Sequence, residues 1–324
     1  MLSFNEYRNL VNDAILAIPY PKQPENLYEP IRYTMGMGGK RIRPVLVLMA
    51  CEAMGGDVNK AVEPAVGLEL YHNFTLLHDD VMDKADVRRG MPTVHRRWGD
   101  NAAILSGDTM LSMAARHMSH VDDDKLPAVM RLFNDTAIEV CEGQQYDMDY
   151  ELLANVSVAD YMEMIRLKTS VLLGCACKLG AIVAGTGEQD ASNLYTVGLN
   201  LGLAFQLQDD LLDVWGDEAT FGKEIGGDIM NGKKTFLLVN ALAMANDDQL
   251  AELRRWLNDE YAVKQEKVAA VTAIYEQMGL KQLTEKEIVA YSQKALEALD
   301  KVKMPDEAKQ QFATFIQDLV GRDK

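Results

Sequence analysis

Apolar residues recur at three- and four-residue steps along most of the chain. In 61–83 they fall at Val62, Ala65, Val66 and Leu70 and continue through Leu76, Leu77 and Val81, the repeat of a helix face. Stretches 101–119 and 194–214 are long, apolar and rich in helix formers. The C-terminal third is more amphipathic, with Ile288, Ala295, Leu296, Leu299 and Val302 among Lys and Glu. Residues 45–50 read as a strand by composition, yet they follow Pro44, which suits the first turn of a helix equally well. Strand-like alternation is scarce elsewhere. The pattern predicts an all-α domain, a bundle of long helices. No linker, low-complexity segment or solenoid-length repeat interrupts it, so residues 1–324 are expected to form one domain.

Two segments break the helical pattern, 84–100 and 216–234. Each carries glycine or proline together with basic residues, and each follows a helix that ends in aspartates. The first cluster is Asp79-Asp80-Val81-Met82-Asp83 and the second Asp209-Asp210-Leu211-Leu212-Asp213. In both, the outer aspartates are four residues apart and share a helix face. Like charges at that spacing cost a few tenths of a kcal/mol, and the C-terminal end of a helix disfavours anions. The flanks FTLLHDD and LAFQLQDDLLDVW are apolar, and buried unpaired carboxylates are expensive. A hard dication relieves all three conflicts. Mg²⁺ takes a few carboxylates, keeps waters and completes its shell with phosphate oxygens.

Charge sharpens the point. The formal balance is 33 − 49 = −16, which repels nucleic acid and anionic surfaces. An anionic substrate then needs bridging dications or locally gathered cations. Gly38-Gly39-Lys40-Arg41-Ile42-Arg43-Pro44 gathers three cations beside two glycines, a composition suited to phosphate. Cys51, Cys141, Cys175 and Cys177 form no CxxC pair, and no histidine cluster sits near them to complete a zinc site. They read as small buried side chains of a reducing compartment. The start MLSFNEYRNLVND does not look like a signal peptide. The stretch VLLGCACKLGAIVAG is interrupted by Lys178 and short for a membrane span. A cytoplasmic location follows as the expectation.

GGKRIRP, then DDVMD with RRG after it, then KT, then FQLQDDLLD with downstream GK and KK, resembles the trans-isoprenyl diphosphate synthase (polyprenyl synthetase) family, of the short-chain farnesyl/geranylgeranyl type. The match in order and spacing runs from about Gly38 to Lys234. The resemblance implies the isoprenoid synthase fold, helices around a central cavity, and a homodimer. It implies 1'-4 head-to-tail condensation of an allylic diphosphate with isopentenyl diphosphate. By the same resemblance Asp79, Asp80, Asp83, Asp209, Asp210 and, less directly, Asp213 bind Mg²⁺, with three ions when substrate is present. Arg88 contacts the allylic diphosphate, and Lys40, Arg43, His72 and Arg89 form the isopentenyl diphosphate pocket. Lys168, Thr169, Gln206, Lys223 and Lys233 surround the allylic group. Phe74 lies five residues before Asp79, about 7.5 Å along the helix axis. In the family a bulky residue there is a floor that limits chain length, and the next residue, Thr75, is small. Two rivals are a class I terpene cyclase and a non-catalytic subunit of a heteromeric synthase. The DDLLD form of the second cluster, with GGKRIRP present, opposes the first. The completeness of both clusters opposes the second.

Overall fold

The computed structural model describes residues 1–217, 225–259 and 261–321. Lys223 lies outside them. The described residues are overwhelmingly helical, and their only sheet is a two-residue hairpin, β1 (Val87–Arg88) paired antiparallel with β2 (Met91–Pro92). The 45–50 ambiguity resolves as helix, because the apolar run belongs to α3 (Ile42–Ala53), with Pro44 in its first turn.

Two compact units are distinguishable. The first comprises Met1–Asp135, Cys175–Tyr195 and Val302–Ala308. It is organised on α4 (Val58–Met82), which packs most extensively against α6 (Asp100–Met118) and α3. Also in it are α1 (Phe4–Leu16), α2 (Glu25–Gly36) and the short α5 (Val94–Trp98). Buried residues occur all round α4, among them Ala65, Leu68, Leu70, Tyr71 and Leu77, the signature of a helix enclosed by others. Glu69 and Asn73 are buried in its middle and hydrogen-bonded. Glu69 receives Arg41 Nη1 at 2.6 Å and Asn73 Nδ2 at 3.0 Å.

The second unit comprises Thr136–Gly174, Thr196–Lys301 and Lys309–Lys324. Part of its core joins Val214, Ile229, Leu237, Leu238, Leu253, Val271, Ile274 and Tyr275. Helix starts are chemically marked. Ser3 with Glu6, Ser157 with Asp160 and Asn246 with Gln249 form reciprocal capping boxes, which satisfy backbone donors that have no intrahelical partner.

Helix α8 (Val158–Ile165) continues through a π turn, Arg166–Ser170, into α9 (Val171–Ala184). The joined run is long and apolar enough to cross a membrane, and 72% of its apolar window is buried inside the protein. It is longer than the stretch after Lys168 suggests, because the π turn carries it on from Val158. Of the cysteines, Cys51, Cys175 and Cys177 are buried as expected. Cys141, on α7 (Leu126–Leu152), is exposed.

Candidate active site

The first aspartate cluster closes α4. Asp83 N–H donates to the Asp79 carbonyl at 2.8 Å, so the two residues lie one helical turn apart. Asp79 is half-buried and Asp83 exposed. Asp80, between them, is only 5% exposed, and Arg88 grips both of its oxygens, with Nε at 2.8 and 2.9 Å and Nη2 at 2.7 Å. Burial pushes the Asp80 carboxyl up, and Arg88 opposes that. The doubled aspartate therefore divides its work. Asp80 fixes an arginine, while Asp79 and Asp83, one turn apart, carry the hard oxygen donors that suit Mg²⁺.

Arg88 is delivered by the β1–β2 hairpin. Thr93 closes its base, donating its N–H to the Asp86 carbonyl at 3.0 Å and its hydroxyl to the Ala85 carbonyl at 2.7 Å. The neighbouring Arg89, at φ 53°, sends its guanidinium the other way, to the Gly38 carbonyl. Gly39 lies beneath that guanidinium, where a Cβ would stand 3.1 Å from Cζ, and its φ of 141° also excludes an ordinary side chain.

The basic GGKRIRP run separates into three environments. Lys40 is exposed. Arg41 is buried in the ion pair with Glu69, and it also donates to the Met35 carbonyl at 2.8 Å and Asn12 Oδ1 at 3.1 Å. It holds the left-handed region, φ 54°, as the residue that starts α3. Arg43 lies 3.2 Å from His72 Nε2 through Nη1. A guanidinium can only donate, so Nε2 accepts and His72 is neutral. Burial, then the charges of Arg43 and Arg89, lower the His72 pKa well below the ordinary histidine value. Two residues further along α4, Phe74 packs on Tyr71 and His78 with ring centroids 5.6 and 4.7 Å apart. The Thr75 hydroxyl donates to the His72 carbonyl at 2.8 Å.

In the second unit, the second cluster lies near the end of α10 (Glu188–Trp215), and its middle residue is the most buried of the three. Asp210, 3% exposed, receives the Tyr161 hydroxyl, the Phe236 N–H at 3.0 Å and Gln206 Nε2 at 3.1 Å. Burial, reinforced by the charge of Asp228, pushes its carboxyl up to about 7. Thr169 donates to Gln206 Oε1 at 3.1 Å, so a chain of hydrogen bonds runs Thr169–Gln206–Asp210–Tyr161. Asp209 is half-buried. Asp213 accepts the Asp228 N–H on its carboxylate at 3.0 Å and the Gly226 N–H on its carbonyl at 2.7 Å, which fastens the chain returning after Gly216.

Lys168 and Thr169 sit in the π turn, a local widening of the helix found often at functional sites. Lys168 Nζ meets Asp147 on α7 at 2.5 Å. Burial works against ionisation of Asp147, but Lys233 and Lys168 outweigh it and hold the carboxyl below the usual range. Thus the second unit gathers Lys168, Thr169, Gln206 and Lys233 near Asp147 and Asp210. The first unit gathers Arg43 with His72, and Arg88 and Arg89 on one hairpin.

Sequence reasoning missed Asp147, Tyr161 and Glu69. A usable signal existed for the first. Val140, Gly143, Asp147 and Tyr150 follow a 3-4-3 spacing, and all four are buried, so Asp147 is an acid on the inward face of α7. Glu69 likewise falls between Leu68 and Leu70 inside the apolar run of α4.

Two glycines give the π turn its room. A Cβ at Gly143 would lie 2.2 Å from the Lys168 nitrogen, and one at Gly202 would lie 2.5 Å from Ser170 Cα. Backbone cannot yield as a flexible side chain does. We expect Gly143→Ala or Gly202→Ala to cost about 1–3 kcal/mol and to depress turnover by displacing Lys168 and Thr169. Thermal unfolding and steady-state rates check this, and unchanged values in both would refute the close fit.

Comparison with known proteins identifies the family. Residues 24–278 match the polyprenyl synthetase family model. Geranylgeranyl diphosphate synthase of Methanosarcina mazei is 43% identical over 221 residues, 68% of each chain. A short chain isoprenyl diphosphate synthase of Methanothermobacter thermautotrophicus is 37% identical over 314 residues, 96% of each. A crystal structure of a geranylgeranyl pyrophosphate synthase superposes with TM-score 0.95 at 43% identity, covering 100% of both chains. The fold is that of the isoprenoid synthases, and the chain belongs to the polyprenyl synthetase family.

Proposed function

We propose that this trans-prenyltransferase joins an allylic diphosphate to isopentenyl diphosphate, 1'-4 and head to tail, and releases a short all-trans product of geranylgeranyl or farnesyl length with diphosphate. The observation that carries the reading is the division of labour at the end of α4. There one carboxylate of a doubled aspartate anchors Arg88, and its neighbours Asp79 and Asp83 stay one turn apart with hard oxygen donors. In a protein of net charge −16, that is a place prepared for a polyanion together with its counter-cations.

Asp79, Asp83 and Asp209 are the ligands assigned to magnesium, three ions in the full complex. The middle residues Asp80 and Asp210 act through the groups they hold, and Asp213 through the returning chain. Bound magnesium supplies charge neutralisation to the departing diphosphate. Arg88 adds a fixed cation to the same diphosphate. Lys40, Arg43, Arg89 and neutral His72 bind isopentenyl diphosphate and set its double bond against the allylic carbon. A neutral His72 accepts from Arg43 and so orients that guanidinium without repelling it. Lys168, Thr169 and Gln206 place polar groups near the allylic carbon, with Lys168 fixed by Asp147. Lys233 belongs to the same group, and Lys223 keeps the role that the resemblance gives it. Proton loss from the product carbocation needs no dedicated base, because released diphosphate accepts it. The reading treats 1–324 as one catalytic domain of a cytoplasmic homodimer.

Product length is set by Phe74, packed edge-on against His78 and tilted against Tyr71, with small Thr75 beside it. Chromatography of products from labelled isopentenyl diphosphate, primed with five-, ten- and fifteen-carbon allylic diphosphates, tests the activity. Absence of elongation with all three primers in the presence of magnesium would exclude it. In the same assay, Phe74→Ala is expected to move most of the label into products at least one five-carbon unit longer. An unchanged product distribution removes Phe74 from this role and leaves the condensation itself standing.

A further inference from the structure

The first unit holds a second group of metal-ligating side chains, away from the aspartates and not used by the chemistry above. Glu63 on α4, His117 in the last turn of α6 and His120 just beyond its end place one ligand atom each within 4.8 Å of the others. Among the described residues, no other three His, Cys, Asp or Glu side chains meet that condition. Glu63 Oε2 lies 2.7 Å from His117 Nδ1 and 3.3 Å from His120 Nδ1. Both imidazoles thus aim the same ring nitrogen at one carboxylate oxygen.

We propose that Glu63, His117 and His120 form a binding site for a divalent cation of the zinc class. Two imidazole nitrogens and a carboxylate are the donor set of many three-ligand zinc centres, whose fourth position is left to water. Tetrahedral bonds of about 2.0–2.2 Å put ligand atoms about 3.3–3.5 Å apart. His120 already meets that separation at 3.3 Å, and His117, at 2.7 Å, needs to retreat by about 0.6–0.8 Å to reach it. A dication takes the place of the protons now shared with Glu63, and each ring keeps its remaining proton on Nε2. Magnesium is a poor competitor, since it prefers oxygen donors in octahedral array.

The surroundings favour a cation. The pair of histidines stands at the C-terminal end of α6, where the helix dipole is negative. His117 is buried and held in place, with a side chain 10% exposed, while Glu63 and His120 are half-exposed. A cleft of about 210 Å³, lined by His120, Lys60, Asp122 and Lys125, opens beside them. Its two lysines are drawn onto Asp122 at 2.9 and 3.0 Å, which lessens their repulsion of an incoming dication. Arg116 is the remaining cation close enough to act on His117.

The test is calorimetric titration of the full chain with zinc in millimolar magnesium, which occupies the aspartates, together with the absorption spectrum of the cobalt(II) form. We expect one tight zinc per chain and the intense visible bands of tetrahedral cobalt. His120→Ala should weaken that site by more than about a hundredfold, and Glu63→Gln should weaken it as well. Both residues are half-exposed, so the metal-free variants should unfold at the wild-type temperature. The proposal is overturned if the wild type takes up no zinc in magnesium, if His120→Ala binds it as tightly, or if the cobalt spectrum is octahedral. In each of those cases the cluster is only a hydrogen-bonded trio. None of these results bears on the prenyltransferase reading, because the variants leave the aspartates intact and no substrate enters the measurement.

Discussion

Replacing Asp79 or Asp209 by alanine lowers turnover by about a thousandfold or more in our expectation, while circular dichroism and the unfolding temperature stay near those of the wild type. The magnitude follows from removing a group that stabilises charge developing on the leaving diphosphate, where loss of a single preorganised contact alone costs about 10²–10³ in rate. Folding is expected to be spared because both residues are only half-buried, so neither truncation opens a cavity in the core. The middle aspartates should behave differently. Asp80→Ala frees Arg88 from its two-oxygen grip, so it loses stability as well as rate and weakens binding of the allylic diphosphate. Magnesium dependence of the rate, measured for Asp79→Ala and Asp80→Ala side by side, separates ligand from anchor. A normal rate in Asp79→Ala or Asp209→Ala would overturn the role given to that residue.

The second large effect lies at Glu69. Arg41 and Glu69 are paired at 2.6 Å with side chains 2% and 3% exposed. Breaking such a pair strands a buried charge and costs about 3–5 kcal/mol, so Glu69→Ala should unfold at a much lower denaturant concentration than the wild type. Arg41 also starts α3 in a left-handed conformation, between Lys40 and Arg43. Glu69→Ala should therefore raise the KM for isopentenyl diphosphate in whatever fraction remains folded. The double variant Arg41→Met, Glu69→Leu removes both charges and is expected to recover most of the stability without restoring KM. Equal stability of wild type and Glu69→Ala would show that the pair contributes nothing.

The contrast between Arg41 and its neighbours shows how far the sequence could be read. Helix identity was legible because apolar spacing is a backbone-level signal, and α4, α6 and α10 fall where that spacing places them, whereas the short apolar run of α3 fitted a strand equally well. The chemistry was legible because doubled aspartates and clustered cations are costly without a ligand. Division of labour within each cluster was not. Asp79 and Asp80 are the same residue type one position apart, and only the hairpin that returns Arg88 distinguishes them. Partners distant in sequence were equally hidden. Asp147 meets Lys168 across 21 positions, and Tyr161 meets Asp210 across 49. The widening at Arg166–Ser170 left no local mark, since it depends on glycines at 143 and 202.

Arg88 and Arg89 are consecutive, yet one reaches back to the end of α4 and the other to the approach to α3. The hairpin is thus a tie rod fixed at both ends by cationic hooks. A tie rod transmits load: an anion that drew Arg88 from Asp80 would slacken one anchorage and leave the hairpin to pivot about the other. Occupancy at the carboxylate end would in that way be felt, through two adjoining side chains and no longer route, at the glycines that seat Arg89.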